Sequence, residues 1–333
     1  MKRILTGITP SGYPHLGNYI GAIKPSLDLL DENCESFLFI ADLHAVIKVS
    51  DPERLNELSN SIAMAWLASG LDPERTNFYR QSDVPEITEL AWLLSCITEK
   101  GLLNRAHAYK AAIDTNNESG KKDIDEGISV GLFSYPLLMA SDILTLNATH
   151  VPVGKDQQQH LEMTRDVASR FNNIYGQTFV LPEGKVNEDT MLVQGTNGEK
   201  MSKSKGNTID IFLPEKALKK QVMSIQTDST PIEDPKDYKN CNVFKIYKLI
   251  ADQKSVDKVK SNYLKGGYGY GHAKKELLNF ILTNFSEERQ KFEYYMSNKN
   301  ELEKVLKLGA EKANLVAQEV LNRVREKLGY NKN

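Results

Sequence analysis

Three cysteines, Cys34, Cys96 and Cys241, are all that the 333 residues contain. An odd, scattered set without a C-x-x-C pair argues against a disulfide framework and a thiolate zinc site, and a reducing cytoplasm is the simplest setting. No run approaches the ~18 apolar residues of a membrane span. The opening stretch, MKRILTGITPSG, lacks the long apolar core of a secretory signal. One-sided charge is missing too: 42 basic and 44 acidic residues leave a net of −2. That excludes a chain coated in basic surface, while a local basic patch stays open because binding follows the field near a site. Two common phosphate-binding signatures are also absent. The glycines after Gly12 do not fit G-x-G-x-x-G, and the half P-loop GTNGEK runs into Met201 instead of Ser or Thr. No internal repeat is visible.

What is present is an ordinary globular composition, 40% hydrophobic and 26% charged, long enough for roughly two domains. In the first half, apolar runs at 3–8 (RILTGI) and within 35–46 (SFLFI), with shorter candidates at 76–84 and 150–154, alternate with helical patterns at 16–31, 53–69, 86–100 and 155–172. This alternation predicts an α/β fold with a doubly wound, Rossmann-like parallel sheet, whose ligands bind beyond the carboxyl ends of the strands. The polar stretch 111–127 reads as an exposed, mobile insertion. After Asn207 helical patterns dominate, and Leu302, Val305, Gly309, Ala313, Val316, Val320, Val324 and Leu328 recur at three- and four-residue steps along one apolar face. The expected division is a catalytic domain at 1–207 and a smaller all-helical domain at 208–333.

Two stretches carry chemistry. In LTGITPSGYPHLGNYIGA a strand, a Gly-containing turn and a helix start follow one another, which makes an anion site from unpaired N–H groups and the helix dipole. His15, in the first turn, can donate to a phosphate oxygen or simply cap the helix. In TNGEKMSKSKGN, Lys200 and Lys203 lie three apart in a loop that can clamp a polyphosphate as charge builds on a leaving group. By itself that loop is also readable as a solvated charge run.

Together, PHLGN and KMSKS resemble the two signatures of class I aminoacyl-tRNA synthetases, the second in full and the first with Asn18 in place of its second histidine. With ADLHA (41–45), MASDIL (139–144), VPVGKDQQQH (151–160) and GYGYGHAKKEL (267–277), the chain is similar, from about residue 3 to 328, to the bacterial tryptophanyl-tRNA synthetase family. The resemblance implies ATP with Mg²⁺ as a substrate complex, no metal cage on the protein, tryptophan and tRNA(Trp) as the other substrates, a homodimer and no membrane. It implies that Thr9, Pro10 and Ser11 line the ATP site, and that His15, Gly17 and Asn18 meet the phosphates. Gly154, Lys155 and Asp156 would hold the ribose and adenine side, and Lys200, Met201, Ser202, Lys203 and Ser204 would close over the β- and γ-phosphates. Catalysis would fall to His15, Lys200 and Lys203.

Asp142 would accept the indole N–H, which as a donor-only group needs a buried acceptor. Tyr135, Met139, Val151 and Val153 would wall the ring, with His44 and Gln157 at the amino acid's polar end. Plainer readings stand beside these: Asp142 as a helix N-cap, Tyr135 and Met139 as core, His44 as a satisfied buried histidine. Rival functions are a tyrosine enzyme of the same class, a small-molecule nucleotidyltransferase and a non-catalytic RNA-binding relative.

Overall fold

The structure is a computed structural model and describes residues 2–30, 34–154, 157–186 and 193–330. Five strands, β1 (Lys2–Ile8), β2 (Cys34–Ile40), β3 (Asn77–Arg80), β4 (His150–Val153) and β5 (Glu183–Val186), form one parallel sheet in the order β3-β2-β1-β4-β5. The long apolar runs became the two central strands. β1 and β2 stay in register over their whole length, from Lys2↔Cys34 to Ile8↔Ile40. β1 and β4 pair only at Ile4↔His150. The strand order reverses between β1 and β4, and a doubly wound sheet opens a ligand crevice at that point.

Helices cover both faces. On one side Ile8, Leu38 and Ile40 join the helix Pro52–Ala68 and the later helices in a single apolar cluster that contains Trp66, Phe244, Tyr263 and Leu306. On the other, Leu5, Phe37, Phe39, Val151 and Val153 pack with Ile143 and Leu161. The stretch expected as one helix at 16–31 is a helix Leu16–Asn18, a π-helical turn Tyr19–Ile23 and a second short helix Lys24–Asp28. The long run after 35 leaves the sheet at Ile40, and Asp42–Ala45 turns helical. The helix Val130–Thr145 had no visible periodicity. It buries Leu137, Ala140, Ser141, Asp142, Ile143 and Leu144, on more than one side, and carries Pro136 within it. Asp142 therefore sits inside a helix, and its reading as an N-cap is excluded. Part of the 111–127 stretch belongs to the helix His107–Glu118, and the buried Asn116 amide ties that helix to the carbonyls of Ile124 and Glu126.

The last helix, Lys299–Lys327, returns to the sheet and runs along the edge strand β3. Its expected apolar face is present, shifted so that Leu306, Ala310, Ala317 and Leu321 are buried at its centre while Val305 and Val316 flank it. Covering an edge strand with a helix removes a row of groups that would otherwise pair with another chain. The closest approach is at Gly309, where a Cβ would lie 1.9 Å from the Phe78 carbonyl oxygen. Arg80 at the end of β3 pairs with Glu303 (Nη1 at 2.8 Å), and further along the helix Arg325 pairs with Glu89 (Nε at 2.8 Å) of the helix Glu86–Ile97. In an open helix Gly→Ala stabilises by about 1 kcal/mol. Here Gly309→Ala is expected to destabilise by roughly 1–3 kcal/mol through overpacking against β3. Urea unfolding of the two proteins checks the sign, and a stabilised variant would contradict this packing.

Candidate active site

Beyond Ile4 the carboxyl ends of β1 and β4 part, and a cavity of about 720 Å³ opens there. Leu5, Gly7 and Thr9 line it from β1 and its end, and Val151, Val153 and Gly154 from β4 and its end. Phe39 of β2 lies across Gly7, where a Cβ would meet its ring at 2.5 Å. Gly7 thus lets an aromatic ring reach the cavity. Tyr135, Met139 and Asp142 project from the helix Val130–Thr145, and His44 from Asp42–Ala45.

Asp142 is 1% exposed. Burial pushes its carboxyl up, and the hydrogen bond and charge of His44 followed by the Gln81 amide pull it back. His44 Nε2 lies 3.0 Å from Oδ2, and Gln81 Nε2 donates to Oδ1 at 2.7 Å. A buried carboxylate with both oxygens engaged is a held acceptor, because an unpaired one would take up a proton instead. Tyr135 and His160 are hydrogen-bonded beside it.

The second half of the site is the turn after β1. His15 is the N-cap of Leu16–Asn18 in a reciprocal box: its Nδ1 accepts the Asn18 N–H at 3.3 Å, and its own N–H donates to Asn18 Oδ1 at 3.1 Å. An accepting Nδ1 leaves the ring proton on Nε2. Burial, then the nearby Lys203 charge, pushes His15 down to about 4, so it is a neutral N–H donor at pH 7. Asn18 closes the box through its side-chain amide oxygen.

The KMSKS loop is seated on this turn. Met201 is buried in the same apolar cluster as Leu16, and the Leu16 N–H donates to the Ile209 carbonyl at 2.8 Å. Asn207 ties the loop's ends together, accepting from Ser202 N at 2.8 Å and donating to the Lys200 carbonyl at 3.2 Å. The Lys203 side chain lies over Gly12, whose Cβ, if present, would sit 2.2 Å from Lys203 Cδ and 2.5 Å from Nζ. Burial pushes Lys203 down to about 8 against the pull of Asp210, with Arg54 adding to the fall.

Of the residues singled out from sequence, the cavity brings together Thr9, Ser11, Asn18, His44, Tyr135, Met139, Asp142, Val151, Val153, Gly154 and Gln157. Pro10, buried in the turn, and His15, Gly17, Met201, Ser202 and Lys203 gather at the helix start outside that lining. Lys200 and Ser204 are exposed on the loop. Lys155 and Asp156 lie outside the described residues. Sequence reasoning did not single out Phe39 or Gln81, whose places at the ends of the SFLFI and NFYR strands were the available signal. It also passed over an arm of the cavity between Gly21, Pro25 and Ser26 on one side and Ile47 and Lys48 on the other. Among the described residues, no three His, Cys, Asp or Glu side chains gather as a metal site.

A parallel sheet that opens at its order reversal, beside a capped helix start, defines a nucleotide-binding α/β protein of the Rossmann type. The chain belongs to the family described as tRNA synthetases class I (W and Y), whose model matches residues 1–286. It is 46% identical over 329 residues to a tryptophan–tRNA ligase of Neisseria meningitidis serogroup A, covering 98% of each chain. It is 48% identical over 329 residues to that of Campylobacter jejuni, covering 98% of this chain and 99% of the relative. The crystal structure of the Campylobacter jejuni tryptophanyl-tRNA synthetase complexed with ADP and tryptophan superimposes with a TM-score of 0.90 at 48% identity, over 98% of this chain and 99% of that one. A tyrosyl-tRNA synthetase of Archaeoglobus fulgidus, 20% identical with a TM-score of 0.60, shares the fold.

The lysine has a measurable signature. Its ammonium titrates near 8 in the folded chain and near 10.4 unfolded. Below pH 8 both states are charged and folding bears the cost of burying the charge. Between 8 and 10.4 the unfolded chain binds more protons, so this group makes stability rise with pH. A bound polyphosphate restores the charge, so pyrophosphate binding at pH 8.5–9 is expected to take up a proton. Calorimetry in buffers of different ionisation enthalpy measures the uptake, and Lys203→Arg, always charged, is expected to abolish it.

Proposed function

We propose that this chain joins tryptophan to tRNA(Trp): it activates tryptophan with ATP to tryptophanyl-adenylate and pyrophosphate, then passes the tryptophanyl group to the tRNA's terminal ribose. The observation that carries the choice of amino acid is Asp142, a buried carboxylate held between His44 and Gln81 and facing a cavity with flat apolar walls. A site built to bond a donor rejects side chains that lack it. Tyr135, Met139, Val151 and Val153 flank the ring and Gln157 serves the polar end, whereas His44, expected at that end, bonds Asp142 and so supports the indole acceptor.

The tryptophan carboxylate attacks the α-phosphorus in line and pyrophosphate leaves. Little covalent help is required, so positioning and charge do the work. Thr9, Pro10, Ser11, Gly17 and Asn18 form the phosphate turn, and His15 donates its Nε2–H there. Lys200 and Lys203, with Met201, Ser202 and Ser204 as the frame of their loop, receive the leaving-group charge. Gly154, Lys155 and Asp156 take the ribose and adenine side. Mg²⁺ enters with the nucleotide and offsets phosphate charge. The helical residues 208–333 meet the anticodon side of the tRNA. The working form is a homodimer in the cytoplasm. In support of the dimer, Trp92 and Val130 stand 70% and 79% exposed on two helices that pack together, and large exposed apolar groups mark contact surfaces.

Tryptophan-dependent ATP–pyrophosphate exchange tests the reading. Exchange is expected with tryptophan and not with tyrosine or phenylalanine. Lys203→Ala is expected to lower the exchange rate on the order of 10²-fold, as for loss of one strong transition-state contact. Exchange with tyrosine equal to that with tryptophan would overturn the proposed specificity.

A further inference from the structure

We propose that Gln81 is a positioning residue for amino-acid choice: its carboxamide holds the Asp142 carboxylate in the orientation that it presents to the cavity. This rests on the reading that Asp142 accepts the indole N–H. Gln81 is fully buried just beyond β3 and does not line the cavity. Its Nε2 donates to Asp142 Oδ1 at 2.7 Å, and its Oε1 accepts the backbone N–H of His44 at 3.4 Å. One carboxamide thus spans the helix Val130–Thr145 and the turn after β2. Its orientation is fixed, because the reversed amide would set a carbonyl against a carboxylate.

With Oδ1 held by Gln81 and Oδ2 met by His44 Nε2 at 3.0 Å, the carboxylate is fixed in place, and each oxygen has room for a second donor. The acceptor must also stay ionised, since a protonated carboxyl would turn a donor toward the indole donor. Besides Gln81, two groups bear on its charge: His44 lowers the Asp142 carboxyl and Asp42 raises it. Tyr79, wholly buried with no hydrogen-bond partner for its hydroxyl, is itself raised by burial and by the Asp142 charge. Gln81 is the neutral donor among the groups that pull the carboxyl back toward the anion, after His44.

The test compares tryptophan with 3-benzothienylalanine, in which sulfur replaces the indole N–H, by pyrophosphate exchange from pH 5 to 9. In Gln81→Met, of similar length, the tryptophan KM is expected to rise roughly ten- to a hundredfold, the range for a buried acceptor left without its donor. The KM for the sulfur analogue should be unchanged, kcat for both nearly so, and the acid limb for tryptophan should move to higher pH. Gln81→Glu keeps the shape and is expected to lose tryptophan at high pH and regain it as the pH falls, when one proton is shared between the two carboxyls. Equal loss for both substrates with an unmoved acid limb would reduce Gln81 to a packing residue and overturn the proposal, as would no loss at all. Asp142→Ala separates the two ideas. If it keeps the preference for tryptophan over the analogue, the Asp142 reading fails. If it abolishes that preference while Gln81→Met does not, only the role of Gln81 fails.

Discussion

The site depends on a topological constraint: β1 must serve two neighbours whose chains leave in opposite directions. It pairs with β2 over its full length and with β4 only at Ile4. The crossovers after β2 and β4 are thereby carried to opposite sides, and no helix can fill the gap between them. Much of the proposed site is placed around that gap. The β1 end supplies the proposed phosphate turn, β4 the wall and Gly154, and the turns after β2 and β3 the residues that hold Asp142.

The cavity and the helix start beside it pose opposite electrostatic problems. At the proposed amino-acid end the Asp142 carboxylate is buried, and His44 and Gln81 engage its oxygens. At the proposed phosphate end burial pulls Lys203 down to about 8, so it is still largely charged at pH 7, while His15 is neutral. A polyphosphate arriving there would meet a donor already oriented by the Asn18 box and a partly desolvated ammonium. On the proposed reading these donors are oriented before the leaving group forms, which is how preorganised sites favour a transition state over a ground state.

Much of this was legible in the sequence for definable reasons. The central strands are buried on both faces, so RILTGI and SFLFI read as continuous apolar runs. HLGN and KMSKS are short, and their chemistry is local to the turn and loop that hold them. The helix Val130–Thr145 was illegible because it is packed on several sides and contains Pro136, which erases a 3.6-residue stripe. β5, Glu-Gly-Lys-Val, is an edge strand with too few apolar residues to announce itself. Gln81 was missed because its partner is 61 positions away on another element, and nothing in YRQSDV marks one glutamine as facing a carboxylate. The last helix was found by its repeat, whereas its seat on β3 shows only in Gly309 and the alanines that allow the close approach.

The claim on which the account turns is that tryptophan is chosen through its indole N–H by Asp142. The most direct measurement is the nitrogen–proton NMR spectrum of tryptophan labelled at the indole nitrogen and bound to the chain. The account predicts an indole proton shifted well downfield of the free amino acid, exchanging slowly with water, and returned toward the free position in Asp142→Ala with the label still bound. A bound indole proton at its free position in the unmodified chain would contradict it.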